Sequence, residues 1–497
     1  MPFQSYVFLF AFLPLTVAGY YACAKAFGYP RARLWLIAAS LVFYGYYSLP
    51  ALGLLLLSIG FNYGVSVLMA RRRAQAGRLL ALAVIANVLY LGSFKYLNFA
   101  IDNLNALGHL SLAHVALLFP LGISFYTFFQ IAYLVEFRNA ESGPDRPGEY
   151  ALFACFFPYV TAGPLVNRRD MLPQIAAGLA VEQPLAVRIL VGLTALSFGL
   201  FSKLVVADGL APSVNAVHAK LHAGGALGAS DALYALAAYP LQLYFDFAGY
   251  STVALGLAYM LGFRLPLNFN RPFRADSIVE YWRRWHMTMT RFFTNFVYTP
   301  LAVALTRFAL RARLPEGARF GLVVFLPTIF TFTVAGLWHG AGWTFVVFGL
   351  IHGVALALNH VWREYELPRL PKPLAWALTM LVVTVALGFF RAASVGEALA
   401  LLGAALGQAG GGARVIASPL PSFALLAVLL AGAIVLPTTQ QLLGEYRLAL
   451  DEVEPGALPL GRLRWAPSAG WIAATALAFT IAVLSISSTT EFLYYKF

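Results

Sequence analysis

Charge is what this chain has least of. Only 11% of its 497 residues are Asp, Glu, Lys or Arg, while 60% are hydrophobic and 15% aromatic. A soluble domain carries roughly a quarter charged residues, so a soluble globular protein is excluded, as are disordered, collagen-like and coiled-coil chains. Cysteine is nearly absent. Cys23 and Cys155 both lie inside apolar stretches, which excludes a disulfide scaffold and leaves no thiolate metal site. Acidic residues are outnumbered, 21 against 34 basic ones, for a net charge of +13. In a soluble protein that excess would point to nucleic acid. Here the basic residues fall in short clusters between apolar runs, such as Arg71-Arg72-Arg73 and Arg168-Arg169. That is the distribution of cytoplasmic loops, and no nucleic-acid partner is expected. Internal repeats and low-complexity tracts are also missing.

What is present is apolar sequence in long runs: 6–24, 34–47, 52–70, 79–99, 117–137, 186–206, 232–245, 248–261, 320–338, 343–361, 374–390, 423–436 and 471–486. Runs of this length predict an all-α polytopic integral membrane protein, one membrane-embedded domain over residues 1–497. The first run lacks a basic flank and is too long for a signal peptide, so it reads as a retained transmembrane helix. Shorter pieces at 152–165 and 292–305 are marginal for a ~30 Å hydrocarbon core. Each is followed by arginines and reads as re-entrant or half-inserted. With the N-terminus outside, the clusters at Arg31–Arg33, Arg71–Arg78, Arg138–Arg146 and Arg264–Arg291 fall inside, and 102–114 and 208–231 form outer loops. That order requires 232–245 and 248–261 to cross only once between them, as one broken helix. Residues 407–412 read as a glycine-rich loop. Residues 438–467, with Glu445, Asp451 and Glu452, read as a polar cytoplasmic loop.

The polar residues that a membrane must tolerate are the candidates for function. Asp246, inside Leu243-Tyr244-Phe245-Asp246-Phe247, is the best placed; a structural pairing and a substrate contact are both open. Lys203 and Glu136 lie nearer segment ends and are expected to snorkel. His218 and His222 have metal-ligand spacing for a helix but no third ligand nearby, and read as loop histidines. His352 reads as a hydrogen-bonded core residue, His360 as interfacial. In 277–296, Ser277 and Glu280 form a capping-box pattern. Beyond them Ile278, Tyr281, Trp282, Trp285, Met289, Phe292, Phe293 and Phe296 make one apolar stripe of an interfacial helix. His286 lies at the edge of that stripe, and pattern alone favours a core or interface histidine. His339 stands in Gly336-Leu337-Trp338-His339-Gly340-Ala341-Gly342-Trp343, bracketed by three glycines and two tryptophans. A neutral, buried imidazole there could serve as a general base, or the segment could be an interfacial aromatic belt.

Three pieces in this order, Tyr281-Trp282-Arg283-Arg284-Trp285-His286-Met287-Thr288, Tyr298-Thr299-Pro300-Leu301 and Gly336-Leu337-Trp338-His339-Gly340-Ala341, resemble the membrane-bound O-acyltransferases (MBOAT), in particular their bacterial alginate O-acetyltransferase branch. Gly122-Ile123-Ser124-Phe125-Tyr126-Thr127, Tyr244-Phe245-Asp246-Phe247 and Asn268-Phe269-Asn270-Arg271-Pro272-Phe273 extend the likeness, which is densest over 242–353. The resemblance implies a ring-like bundle of about a dozen tilted transmembrane helices, with re-entrant or interfacial helices, around a central funnel or tunnel. It implies that His339 matches the family's essential histidine and His286 its supporting one. Asp246, Asn270, Arg283, Arg284, Trp285 and Trp338 then fall at substrate, donor or tunnel positions. It further implies a bacterial inner-membrane acyltransferase that moves an acyl group, acetyl on this likeness, from a cytoplasmic thioester such as acetyl-CoA to hydroxyls of an exopolysaccharide or cell-wall polymer. Transfer is direct or through an extracytoplasmic acetyltransferase partner, with an acyl-carrier protein as a further donor-side partner. The likeness implies no bound cofactor and no metal. D-alanyl transfer to a teichoic acid-like polymer is the alternative within this chemistry. Outside it stands a lipid transporter or flippase, whose paired discontinuous helices in two matching halves are not visible here. Two departures from the family pattern fall on the donor-side loop: Thr294-Asn295 stand where relatives carry an Arg-Asp pair, and Ala302-Val303-Ala304 where many carry Gly-Gly-Asn-Arg.

Overall fold

In hydrocarbon there is no water to satisfy backbone N–H and C=O groups, so a spanning chain must close its own hydrogen bonds. The computed structural model describes residues 1–140, 143–408, 413–451, 463–487 and 493. Among them the regular secondary structure is helical, apart from one isolated bridge between Leu265 and Ala449. Among the described residues eight helical spans are long and apolar enough to cross a membrane, by length and composition.

The first are α1 (Leu13–Phe27), α2 (Tyr29–Gly45), α3 (Leu49–Arg71) and α4 (Ala76–Lys95). α2 and α3 begin with a proline in the first turn, where its fixed φ suits the helix and its missing N–H costs nothing. The short α5 (Leu97–Gly108) follows. The run expected at 117–137 starts later as a helix, α6 (Ile123–Asn139). Gly122 before it has φ 72°, and a Cβ there would stand 2.6 Å from the Val160 carbonyl oxygen. Close backbone approach, not hydropathy, sets this boundary. The marginal piece at 152–165 is α7 (Pro147–Cys155) and an irregular stretch leading to α8 (Arg168–Ala177). The irregular backbone is buried in protein, the condition for such structure at membrane depth.

α9 (Leu185–Phe201) runs through a π-helical turn, Ser202–Ala207, into α10 (Asp208–His222). The outer loop expected from 208 is therefore helical as far as His222, and His218 and His222 are helix residues. Hydropathy falls at Asp208, but its carboxylate is neutralised from within the same helix by Lys203, 2.6 Å away. Lys203 does not snorkel. It is buried and also pairs with Asp246 at 2.6 Å, so one ammonium serves two carboxylates. Removing one partner of a buried pair costs about 3–5 kcal/mol. Lys203→Met is therefore expected to lower the melting temperature of the detergent-purified protein markedly, and Lys203→Met with Asp246→Leu to recover part of the loss. Equal melting of wild type and the single variant would count against the pairing.

The runs at 232–245 and 248–261 are one continuous helix, α11 (Ala229–Met260), with Pro240 inside it. At 1.5 Å per residue it is about 48 Å long. It packs on α9 through glycines: a Cβ on Gly199 would lie 2.7 Å from the Gly249 carbonyl oxygen, and one on Gly192 the same distance from that of Gly256. Small residues let helix backbones approach where no hydrophobic force separates lipid from protein. After α12 (Ile278–Arg284), α13 (Met287–Phe293), α14 (Thr299–Arg311) and α15 (Glu316–Phe320) comes the hairpin of α16 (Leu326–His339) and α17 (Trp343–Glu364). It is closed in the same way, with Gly336 against the Phe345 carbonyl and Gly349 against that of Phe332. The remainder is α18 (Lys372–Arg391), α19 (Val395–Ala405), α20 (Pro419–Val435), α21 (Thr439–Leu442) and α22 (Ala469–Leu484). The glycine loop expected at 407–412 and the polar loop at 438–467 fall partly outside the described residues, Glu452 among those outside. Within the second, α21 is a short capped helix and Arg464 pairs with Glu445.

Side-chain pairs sort the connections into two faces. On the basic face Arg33 meets Glu149 and Arg168 meets Asp145, each at 2.8 Å, Arg291 meets Asp170 at 3.0 Å, and Gln174 donates to the Arg264 carbonyl at 2.9 Å. On the other, His222 meets Glu397 at 2.7 Å, Arg391 donates to Asn215 at 2.9 Å and Trp343 to Asn103 at 3.0 Å. The helix from Leu185 to His222 runs from the first face to the second.

Candidate active site

The stripe predicted as one helix over 277–296 is broken at its histidine. Ser277 does cap α12, accepting from the Glu280 N–H at 3.2 Å. The helix stops at Arg284, and His286 takes the left-handed conformation, φ 44° and ψ 49°. The extended segment 268–270 causes the break, because it supplies partners that a continuous helix would supply itself. The Asn270 N–H donates to the Arg284 carbonyl and the Met287 N–H to the Asn268 carbonyl, each at 2.9 Å. A non-glycine residue held in this region costs of order 1–3 kcal/mol, and such strain is characteristic of functional positions.

The same asparagine fixes the ring. His286 Nδ1 lies 3.0 Å from Asn268 Oδ1, which also accepts from Thr288 Oγ1 at 3.0 Å. Asn268 Nδ2 donates to Ser251 Oγ at 3.2 Å, so the amide is oriented with its oxygen toward the histidine. That bond requires a proton on Nδ1 and leaves the lone pair of the neutral ring on Nε2. His286 is fully buried, edge-on to Phe247 at 4.7 Å, and this burial lowers its pKa well below the ordinary imidazole value.

His339 is the last residue of α16, 5% exposed. Its ring is enclosed by Trp338, Phe390 and Phe348, with centroids at 4.9, 5.2 and 5.8 Å. The His286 and His339 rings, 53 positions apart in sequence, stand 6.4 Å apart. His352 accepts from Trp282 Nε1 at 3.2 Å, the hydrogen-bonded core role expected of it.

The other candidates divide. Trp338 is brought to the pair: it lies 6.1 Å from the His286 ring and stacks on Phe128 at 5.2 Å. Trp285 belongs to the adjoining aromatic cluster, against Phe269 at 5.0 Å and Tyr281 at 5.6 Å. The Asp246 carboxylate is turned away into the Lys203 pair, although its neighbour Phe247 touches His286. Arg284 is held by Glu280, its Nε donating at 2.6 Å. Arg283 is exposed and borders a cavity of about 290 Å³ on the basic face with Trp282, Met287, Thr288, Thr294 and Asn295. Asn270, half-buried, uses its N–H on Arg284. Asn268 is the residue that the motif did not single out. The signal was there: residues two apart in an extended segment share a face, but only the fold shows which of the two asparagines reaches a histidine.

The Leu267 N–H donates to Asp451 at 2.6 Å on the basic side. The next residue holds His286, and His286 neighbours His339 at the far end of a span that begins at Glu316. Among the described residues no group of three or more His, Cys, Asp and Glu could hold a metal ion.

The sequence profile of MBOAT, the membrane-bound O-acyltransferase family, matches residues 139–390, both histidines included. The chain belongs to this family. Over 443 residues it is 37% identical to a peptidoglycan O-acetyltransferase of Helicobacter pylori, covering 82% of this chain and 80% of that one. It is 35% identical to a probable alginate O-acetylase, AlgI, of Azotobacter vinelandii, over 79% of this chain and 75% of that one. A teichoic acid D-alanyltransferase of Bacillus subtilis matches at 26% over 60% of the chain and 71% of its own length. Membership makes this membrane protein an acyltransferase. The resemblance first carried by the Trp-His motifs thus extends over most of the chain.

Proposed function

We propose that His339 is the general base of an acetyl transfer from a cytoplasmic thioester to a hydroxyl on or bound for an extracytoplasmic polymer. The observation that carries this reading is the histidine pair itself: two buried rings 6.4 Å apart, one presented from the basic face, the other ending a span. His339 takes the hydroxyl proton as the oxygen attacks the thioester carbonyl. A C–O bond forms, the C–S bond breaks, and the proton passes to the departing thiolate. The Nε2 lone pair of His286 suits it to accept from a second hydroxyl of the acceptor and so hold the reacting one in line. The cavity bordered by Arg283 suits the phosphates of a donor such as acetyl-CoA, or the arm of an acyl-carrier protein, while Arg284 and Trp285 support its wall. Asn270 anchors that wall through the backbone. Trp338 lines the passage between donor and acceptor, and the Asp246 pair holds the helix that borders it. In this reading the helices form a ring about a thinned centre in the bacterial inner membrane. The acceptor is a polysaccharide or cell-wall polymer, reached directly or through an extracytoplasmic acetyltransferase.

The test is to reconstitute the protein in proteoliposomes with isotopically labelled acetyl-CoA and to analyse cell-wall and secreted polymers of producing cells for esters by mass spectrometry. Labelled O-acetyl esters dependent on the protein are expected. D-alanyl esters would move the reading to the alternative transfer, and lipid movement without ester formation would overturn it.

A further inference from the structure

We propose that Lys95 and Tyr96 are positioning residues that clamp the end of α16 and so fix the His339 ring. This inference rests on the acyl-transfer reading. A helix leaves its last carbonyls without intrahelical partners. At the end of α16 the chain turns extended at Gly340, φ −161°. The last carbonyls of α16 accept from α4 and the residue after it. Tyr96 Oη donates to the Leu337 carbonyl at 2.9 Å, and Lys95 Nζ donates to the carbonyls of Trp338 and of His339, the latter at 3.1 Å. The third donor of the ammonium points to Ser124 Oγ of α6 at 3.4 Å. All three protons of the group are directed at acceptors, and the cation stands at the negative end of the α16 dipole.

The position is costly for any other purpose. An apolar residue in this span would insert more easily than lysine. Among the described residues no carboxylate lies within ion-pair distance of Lys95. Its nitrogen also sits 5.9 Å from the Trp338 ring, so the clamp bears on the backbone of the base and on the tryptophan before it. Its hydrogen bonds run to backbone and its ring contact to the indole, and it acts through placement. A misplacement of about 1 Å can cost a transfer reaction about 100-fold.

The experiment compares Lys95→Met, Lys95→Arg, Tyr96→Phe and His339→Ala with wild type in the proteoliposome assay, normalised to folded protein by gel filtration and melting temperature. Lys95→Met is expected to lower kcat about 30- to 100-fold with the donor KM within about twofold, as a misplaced base requires. Lys95→Arg, which keeps a donor at the helix end, is expected to stay within about tenfold of wild type, and Tyr96→Phe to lose only a few-fold. A folded Lys95→Met with wild-type kcat overturns the clamp, as does a loss shared equally by Lys95→Arg. If Lys95→Met does not fold, Tyr96→Phe carries the test, and an unchanged kcat there overturns the proposal. Full activity of His339→Ala, or no turnover by wild type, would instead overturn the acyl-transfer reading and the clamp with it.

Discussion

His339→Ala is expected to reduce acyl transfer by about 10²–10⁴, the range that a general base contributes, with the amount of folded protein unchanged. The two expectations have separate structural grounds. The side chain ends a helix and its loss removes one ring from an aromatic enclosure, whereas the contacts that hold this helix end run to the backbone carbonyls of residues 337–339 from Tyr96 and Lys95. The hairpin with α17 is held by Gly336 and Gly349, which the substitution leaves alone. Because a base acts on the transition state, kcat should fall far more than donor affinity. His339→Gln, which fills the space and keeps hydrogen-bonding capacity without basicity, should be as inactive as alanine. The measurement is initial rate against donor concentration in proteoliposomes, with polymer O-acetylation in cells as a second readout. Turnover within a few-fold of wild type in either variant would remove this imidazole from the chemistry.

His286→Asn is expected to lose about 10²-fold, again without loss of the fold. Asparagine is one of the few residues at home in the left-handed region, so the φ of 44° at this position is retained. What disappears is the Nε2 lone pair and the bond from Nδ1 to Asn268. The structure makes a more discriminating statement than loss alone. Since Asn268 Oδ1 fixes the proton on Nδ1, His286 in its neutral form accepts at Nε2 and does not donate there. Its loss should therefore appear in the positioning of the acceptor, with the donor KM nearly unchanged. Asn268→Leu should reproduce most of the defect by releasing the ring. The double variant should be little worse than either single one, because both act through one hydrogen bond. Additive losses would mean that Asn268 and His286 work separately.

Much of the fold was legible because the membrane imposes a narrow code. The apolar runs become helices, and the pairs among Arg33, Arg168, Arg291 and their carboxylates share one face, as the loop charges require. The misreadings share a physical cause. Hydropathy ends a segment at a charge, but Asp208 lies within a helix because Lys203 neutralises it from inside. Periodicity extends α12 through His286, but the competing hydrogen bonds of 268–270 end it at Arg284. Apolarity starts α6 too early, because the approach of Gly122 to Val160 is a contact between distant segments. In each case the deciding group lies elsewhere in the chain or on another turn.

The sequence by itself determined the solvent, the helical class, the basic face and, through the Trp-His motifs, the family. These depend on local composition and on the order of short motifs, and a linear string carries both. Only the tertiary structure decided that Asn268 rather than Asn270 orients His286, that Asp246 is committed to Lys203, and that Lys95 holds the end of the His339 helix. Those are contacts between residues separated in sequence, and side-chain direction and distance exist only once the helices have packed.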